Sequence, residues 1–88
     1  MDPKSIYTRE YAALLRLVRQ AREAAGLTQV DLAAALGRSQ SFVSKVERGE
    51  TRLDVIQLRA VLLPLGVSLP EFTRRLERAI AKGEPKGS

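Results

Sequence analysis

Apolar residues recur at four-three spacing through the first part of the chain, at Tyr7, Tyr11, Leu14, Val18, Ala21 and Ala25. That spacing makes one continuous helix face. Arg9, Arg16, Arg19 and Glu23 lie off it. The pattern predicts a long helix that follows a loose start at residues 1–4, with Pro3 at or just before its first turn, and ends near Ala25 at Gly26. At about 1.5 Å per residue it would span roughly 30 Å. Two shorter helices follow in the stretch 28–49, TQVDLAAALGRSQSFVSKVERG. Thr28 with Asp31 three residues on is close to a capping box, Leu32, Ala33 and Leu36 form a narrow apolar stripe, and Gly37 stops the helix. Ser39 caps the next helix, which runs toward Gly49.

The remaining pattern predicts two more helices. Asp54 caps one that carries Val55, Leu58, Val61, Leu62 and Leu65 as its apolar positions. Pro64 removes a backbone donor near its end, so the last turn should tighten or the helix stop before Gly66. Ser68-Leu69-Pro70-Glu71 reads as a second capping box, with Glu71 reaching back, and Phe72, Leu76, Ala79 and Ile80 repeat on one face beyond it. Arg74, Arg75, Arg78 and Lys82 make the other face basic, which reads most simply as a solvated surface with cations near the helix C-terminus. The tail at 83–88 has nothing apolar to fix it and is expected to be disordered.

On a wheel of about 100° per residue, the helix from Ser39 divides cleanly. Phe42, Val43 and Val46 gather on one side; Gln40, Ser41, Ser44, Lys45 and Arg48 gather on the other. Burial of the first arc presents the second to solvent or to a ligand. The outer arc holds amide, hydroxyl and basic groups and no carboxylate, a set that donates to phosphates and base edges without repelling a nucleic acid.

These residues resemble the helix-turn-helix of the Cro/repressor group, the XRE family. The likeness rests on Gln29, Leu32, Ala33, Leu36, Gly37, Ser39, Gln40, Val43, Ser44, Val46, Glu47 and Gly49. It implies an all-α, five-helix lambda-repressor-like domain over 1–82, here with an extended N-terminal helix. It implies that Ala33 is small where two helices cross, that Gly37 makes the turn, and that helix 39–48 lies in the major groove. By the same likeness Gln29 sits against a phosphate, and Arg22 of the first helix pairs with Glu47. The wheel adds to that pairing: Glu47 lies at the border of the apolar arc, where a carboxylate needs a partner. The alternative is two solvated charges.

The expected base contacts are Gln40, Ser41, Ser44 and Lys45, with Lys45 favouring a guanine and Gln40 able to pair with adenine. The expected phosphate contacts are Gln29, Ser39, Arg48 and Arg52, though Arg48 and Arg52 read equally well as ordinary solvated charges. The likeness begins near Leu14, so residues 4–13 form an extension whose Ile6, Tyr7 and Tyr11 either cover the C-terminal helix of the same chain or make a dimer contact.

Composition narrows the classes. With 88 residues there is room for one domain and one modest core. The net charge of +5, from 15 Lys and Arg against 10 Asp and Glu, favours a polyanionic partner without proving one. There is no His and no Cys, which removes the usual general base, thiol nucleophile and metal ligands. Asp31 and Asp54 are accounted for as caps and Glu47 as an ion-pair partner, so no catalytic site, metal or cofactor is expected. No segment has signal-peptide or membrane-span character, and the expected location is the cytoplasm, on the bacterial nucleoid.

The resulting expectation is a sequence-specific transcriptional regulator of a bacterium or phage, a repressor binding a double-stranded DNA operator as a homodimer. A regulator of the antitoxin type, which also binds a toxin protein, would carry the same motif. A pure interaction module would be expected to show outward carboxylates on helix 39–48.

Overall fold

The computed structural model describes the backbone of residues 3–83 and the side chains of residues 9–83. Among the described residues five helices and a short 3-10 turn follow one another: α1 (Pro3–Ala24), α2 (Gln29–Leu36), α3 (Gln40–Glu47), α4 (Val55–Leu62), the 3-10 turn Leu63–Leu65, and α5 (Leu69–Gly83). The expected roles of Ile6 and Tyr7, and the tail from residue 84 on, lie outside the described residues.

Each short helix starts where a side chain can satisfy its open N–H groups. Thr28 Oγ1 accepts from the Asp31 N–H at 3.0 Å while Asp31 Oδ2 accepts from the Thr28 N–H at 2.9 Å, a complete capping box. Asp54 and Gln57 do the same for α4. Ser39 caps α3 through the Phe42 N–H. Ser68 accepts from the Glu71 N–H, but Glu71 does not complete the box as expected: its carboxylate turns to Arg74 and Arg75. Those two guanidiniums, one turn on, hold it more strongly than one backbone N–H would. The same hydrogen bonds, Arg75 first, hold the Glu71 carboxyl below its ordinary range.

Between α2 and α3 the chain reverses at Gly37, whose φ of 67° is left-handed. There the Gly37 and Arg38 N–H groups return to the Ala34 and Ala33 carbonyls, the paired closure of a Schellman motif. Pro64 acts as its chemistry requires: α4 ends at Leu62 and continues only as the tighter turn 63–65.

The core is one cluster, built from Val18 and Ala21 of α1, Leu32 and Ala33 of α2, Val43 of α3, Leu58, Val61 and Leu62 of α4, Leu65, and Phe72 of α5. Phe72 and Leu62 are fully enclosed. Two expected core residues are instead exposed. Ala25 lies beyond the last turn of α1, where the chain departs at Gly26, and Val55 is 58% exposed on the first turn of α4, beside the exposed Ile56. α1 packs against α5 within the chain. Among the described residues no single helix is long and apolar enough to cross a membrane.

Candidate nucleic-acid interface

α3 is fixed by Val43 and Val46, both buried, which turns Gln40, Ser41 and Lys45 outward; Ser44 is half-buried beside them. Phe42 is half-buried and carries the Arg38 guanidinium 3.8 Å over its ring centroid, so that cation covers the apolar edge at the start of α3.

The inner end of the site is an ion pair. Arg22 Nε donates to Glu47 Oε2 at 2.6 Å and Nη2 to Oε1 at 3.1 Å, while Nη1 donates to the Leu27 carbonyl at 2.8 Å. The two side chains are 9% and 4% exposed. They are therefore not the solvated charges of the alternative reading. Burial pushes the Glu47 carboxyl up, but the hydrogen bonds from Arg22 and Gln29 and the charges of Arg22 and Arg19 outweigh it and leave it below its ordinary range. The Arg22 guanidinium is raised, chiefly by its hydrogen bond to Glu47, in spite of its burial.

From Glu47 the hydrogen bonds continue outward. Gln29 Nε2 donates to Glu47 Oε1 at 2.9 Å, and Gln40 Nε2 donates to Gln29 Oε1 at 2.8 Å. A carboxylate only accepts, so Glu47 sets which end of the Gln29 amide faces it. That choice leaves the Gln29 oxygen for Gln40, and sets the Gln40 amide in turn. Gln29 is thus held between Glu47 and Gln40, and the pair joins two of the sequence-derived site residues.

The far end of α3 is arranged differently. Arg48 Nε and Nη2 donate to the two Glu50 oxygens at 2.9 and 3.2 Å, and Nη1 donates to Ser44 Oγ at 2.6 Å. Both charged side chains are more than half exposed. The hydrogen bonds from Arg48 hold the Glu50 carboxyl below its ordinary range, and Glu50 raises Arg48. A carboxylate therefore does stand beside the outer arc, supplied by the following loop rather than by α3. Its signal was the spacing of Arg48 and Glu50 around Gly49, whose φ of 81° folds the chain back.

That loop leans on α1. The Arg52 guanidinium lies 4.2 Å from the centroid of the Tyr11 ring, and the Leu53 N–H donates to the Tyr11 hydroxyl at 3.3 Å. A Cβ at Gly49 would come within 3.1 Å of Leu15 Cδ1, so α1 approaches the loop closely there. Tyr11, expected to cover α5 or a second copy, braces the loop that carries Arg52.

A helix-turn-helix family model matches residues 18–72, well over half of the chain. A solved structure, the XRE-family like protein from Pseudomonas syringae pv. tomato str. DC3000, is 48% identical over 85% of this chain and 92% of its own, with a TM-score of 0.80. The chain belongs to the XRE family of helix-turn-helix proteins. No curated protein matches. As an XRE-family protein it is a DNA-binding regulator, and α2 and α3 are its helix-turn-helix. The helix-turn-helix family model starts at Val18, so Tyr11 and Leu15, which contact the loop after α3, lie ahead of the residues that model matches.

Proposed function

We propose that this regulator is a repressor that binds a pseudo-palindromic operator as a homodimer, with α3 in the major groove of each half-site. Residues 1–82 act as one domain, and the bacterial cytoplasm is the compartment where its operator lies. The observation that carries this reading is the run of hydrogen bonds from Arg22 through Glu47 and Gln29 to Gln40, which gives an exposed amide a set orientation. Adenine presents an N7 acceptor and an N6 donor in the major groove, and an amide pairs with both when it faces them the right way round. Gln40 spends one N–H on Gln29 and keeps its other N–H and its oxygen for such a pair.

Ser41, Ser44 and Lys45 complete the base-reading set, with Lys45 donating to a guanine. Gln29, Ser39, Arg48 and Arg52 hold phosphates and position α3. Ser39 uses its oxygen as the cap of α3 and retains its hydroxyl proton for a phosphate.

The test is selection from a randomised duplex pool at near-physiological salt, followed by sequencing of what stays bound. Enrichment of a two-fold-related site with adenine and guanine at fixed offsets is the expected result. Retention without enrichment would reduce the activity to phosphate binding, with affinity falling steeply as salt rises. No retained DNA would overturn the reading.

A further inference from the structure

α4 has two apolar faces and the fold uses one. Leu58, Val61 and Leu62 are buried; Val55, Ile56 and Leu63 are 58, 71 and 61% exposed. At about 100° per residue these three share one arc with Arg59 and Ala60, both exposed. Leu63 keeps helical backbone angles, so the arc continues past the end of α4.

We propose that this face is where two copies of the chain meet on DNA, their α4 helices antiparallel across the two-fold axis of the operator. The proposal rests on the operator-binding reading above and names the surface that reading requires.

The face is complementary to itself. An antiparallel crossing between positions 59 and 60 sets Ile56 against the partner's Leu63 at both ends and Ala60 at the centre. Small Ala60 lets the helices approach. The one charge on the face, Arg59, then lies opposite the partner's Ala60, so the two guanidiniums do not meet head-on. A two-fold contact needs this property, because the same patch serves on both sides. A partner of different sequence does not.

The size of the face decides when the contact forms. Three large side chains at these exposures make a patch on the order of 300 Å². A standard interface buries about 800 Å² on each partner. The face by itself therefore supports only weak association, and each copy carries the same sign of net charge. Two half-sites on one duplex supply the missing term, by holding the copies at high effective concentration. The chain thus associates only weakly by itself and pairs fully on its operator.

The experiment uses the full chain and Ile56→Asp. An aspartate at that position lies in the first turn of α4, where the helix dipole favours it, so folding is preserved. The duplexes are the two-fold site enriched by selection and a half-site with the other half scrambled. The variant is expected to bind the half-site as the unaltered chain does and to bind the two-fold site about 100-fold more weakly, without cooperativity. Equal cooperative binding by both proteins would overturn the interface and leave the operator reading intact.

Sedimentation of the protein alone gives a readout that needs no DNA. The unaltered chain should associate between micromolar and about millimolar concentration, and Ile56→Asp should not. Association lost in the variant, with no DNA retained by either, would support the face and sink the operator reading; a chain monomeric throughout and non-cooperative on DNA would overturn the face. A single cysteine tests the register, since the chain has no other. Ala60→Cys should give a disulfide-linked dimer on the two-fold duplex under mild oxidation. Val30→Cys, at an exposed apolar position on α2, should not. Equal crosslinking of the two would overturn the antiparallel pairing.

Discussion

Two Arg–Glu pairs meet at the end of α3 and behave as opposites. Glu47 faces inward to Arg22, and the two side chains are 4% and 9% exposed; Arg48 faces outward to Glu50, and these are 57% and 54% exposed. The hydrogen-bond geometry is nearly the same, with two contacts between guanidinium and carboxylate in each. Surroundings make the difference. Water competes freely for the outer pair, so it contributes little to stability and can open for a phosphate. The inner pair has no such competitor, and loss of either partner would leave a charge in the protein interior. One helix end thus joins a fixed contact to a releasable one, and the fixed one continues through Gln29 to Gln40.

The largest effect should come from breaking the inner pair. Arg22→Ala leaves the buried Glu47 with only the Gln29 amide and the exposed Arg19, 4.0 Å away, and is expected to lower stability by about 3 kcal/mol in urea melts at neutral pH. An unchanged melt would show that the pair is dispensable. The pH dependence carries a sign. Glu47 has a folded-state pKa below its unfolded value, so its contribution is complete above the unfolded carboxyl range, about 4.3, and is lost as pH falls through the folded value. In Arg22→Ala, protonation of Glu47 instead removes a buried charge that has lost its main partner. The stability gap between the two proteins should therefore narrow on acidification, and a constant gap would separate the effect of Arg22 from the charge of Glu47.

Next in size are changes on the outer arc, which should leave the melt alone and alter DNA binding. Lys45→Ala is expected to relax preference at one base position by about 1–3 kcal/mol in competition against single-base variants of the selected site. A uniform loss across all sequences would make Lys45 a phosphate contact. Glu50→Gln removes the competitor for Arg48. Affinity should rise by about threefold to tenfold, with the dependence of log K on log salt steeper by about one. If the slope stays the same, Arg48 does not reach a phosphate even when freed.

How well each region could be read from the sequence follows from how far apart its partners are. The caps at Thr28, Ser39 and Asp54 join residues three apart, and the turn at Gly37 and the tightening at Pro64 depend on single residues; all were legible. The Arg22–Glu47 pair spans 25 positions and was expected from family likeness, with the helix wheel in support. The Gln29–Gln40 contact was missed because two helices must first cross before those amides meet, even though each residue was named. Arg48 and Glu50 are only two apart, but their contact depends on the reversal at Gly49 and not on helical spacing. Ala25 and Val55 show the limit of periodicity: Ala25 keeps the spacing but lies past the last turn of α1, and Val55 keeps it but stands on the outward arc of α4 with Ile56 and Leu63. Tyr11 lies 42 positions from Leu53, farther than any local rule reaches.

Tyr11 also gives the smallest effect, and it bears on the outer pair through the loop. Glu50, Arg52 and Leu53 lie on one short segment, and Tyr11 touches it twice, by its hydroxyl at the Leu53 N–H and by its ring beneath Arg52. The two contacts can be removed in turn. Tyr11→Phe deletes the hydroxyl alone and should cost about 1 kcal/mol or less, with faster hydrogen exchange at the Leu53 amide and DNA affinity unchanged. Tyr11→Ala removes the ring as well, and should weaken DNA binding severalfold at low salt if the ring holds Arg52 toward the backbone. The order of the two variants is the informative result. Equal losses would assign the brace to the hydroxyl and leave Arg52 no role on DNA that depends on Tyr11, whereas a loss confined to Tyr11→Ala ties the part of α1 ahead of residue 18 to the grip of the loop on DNA.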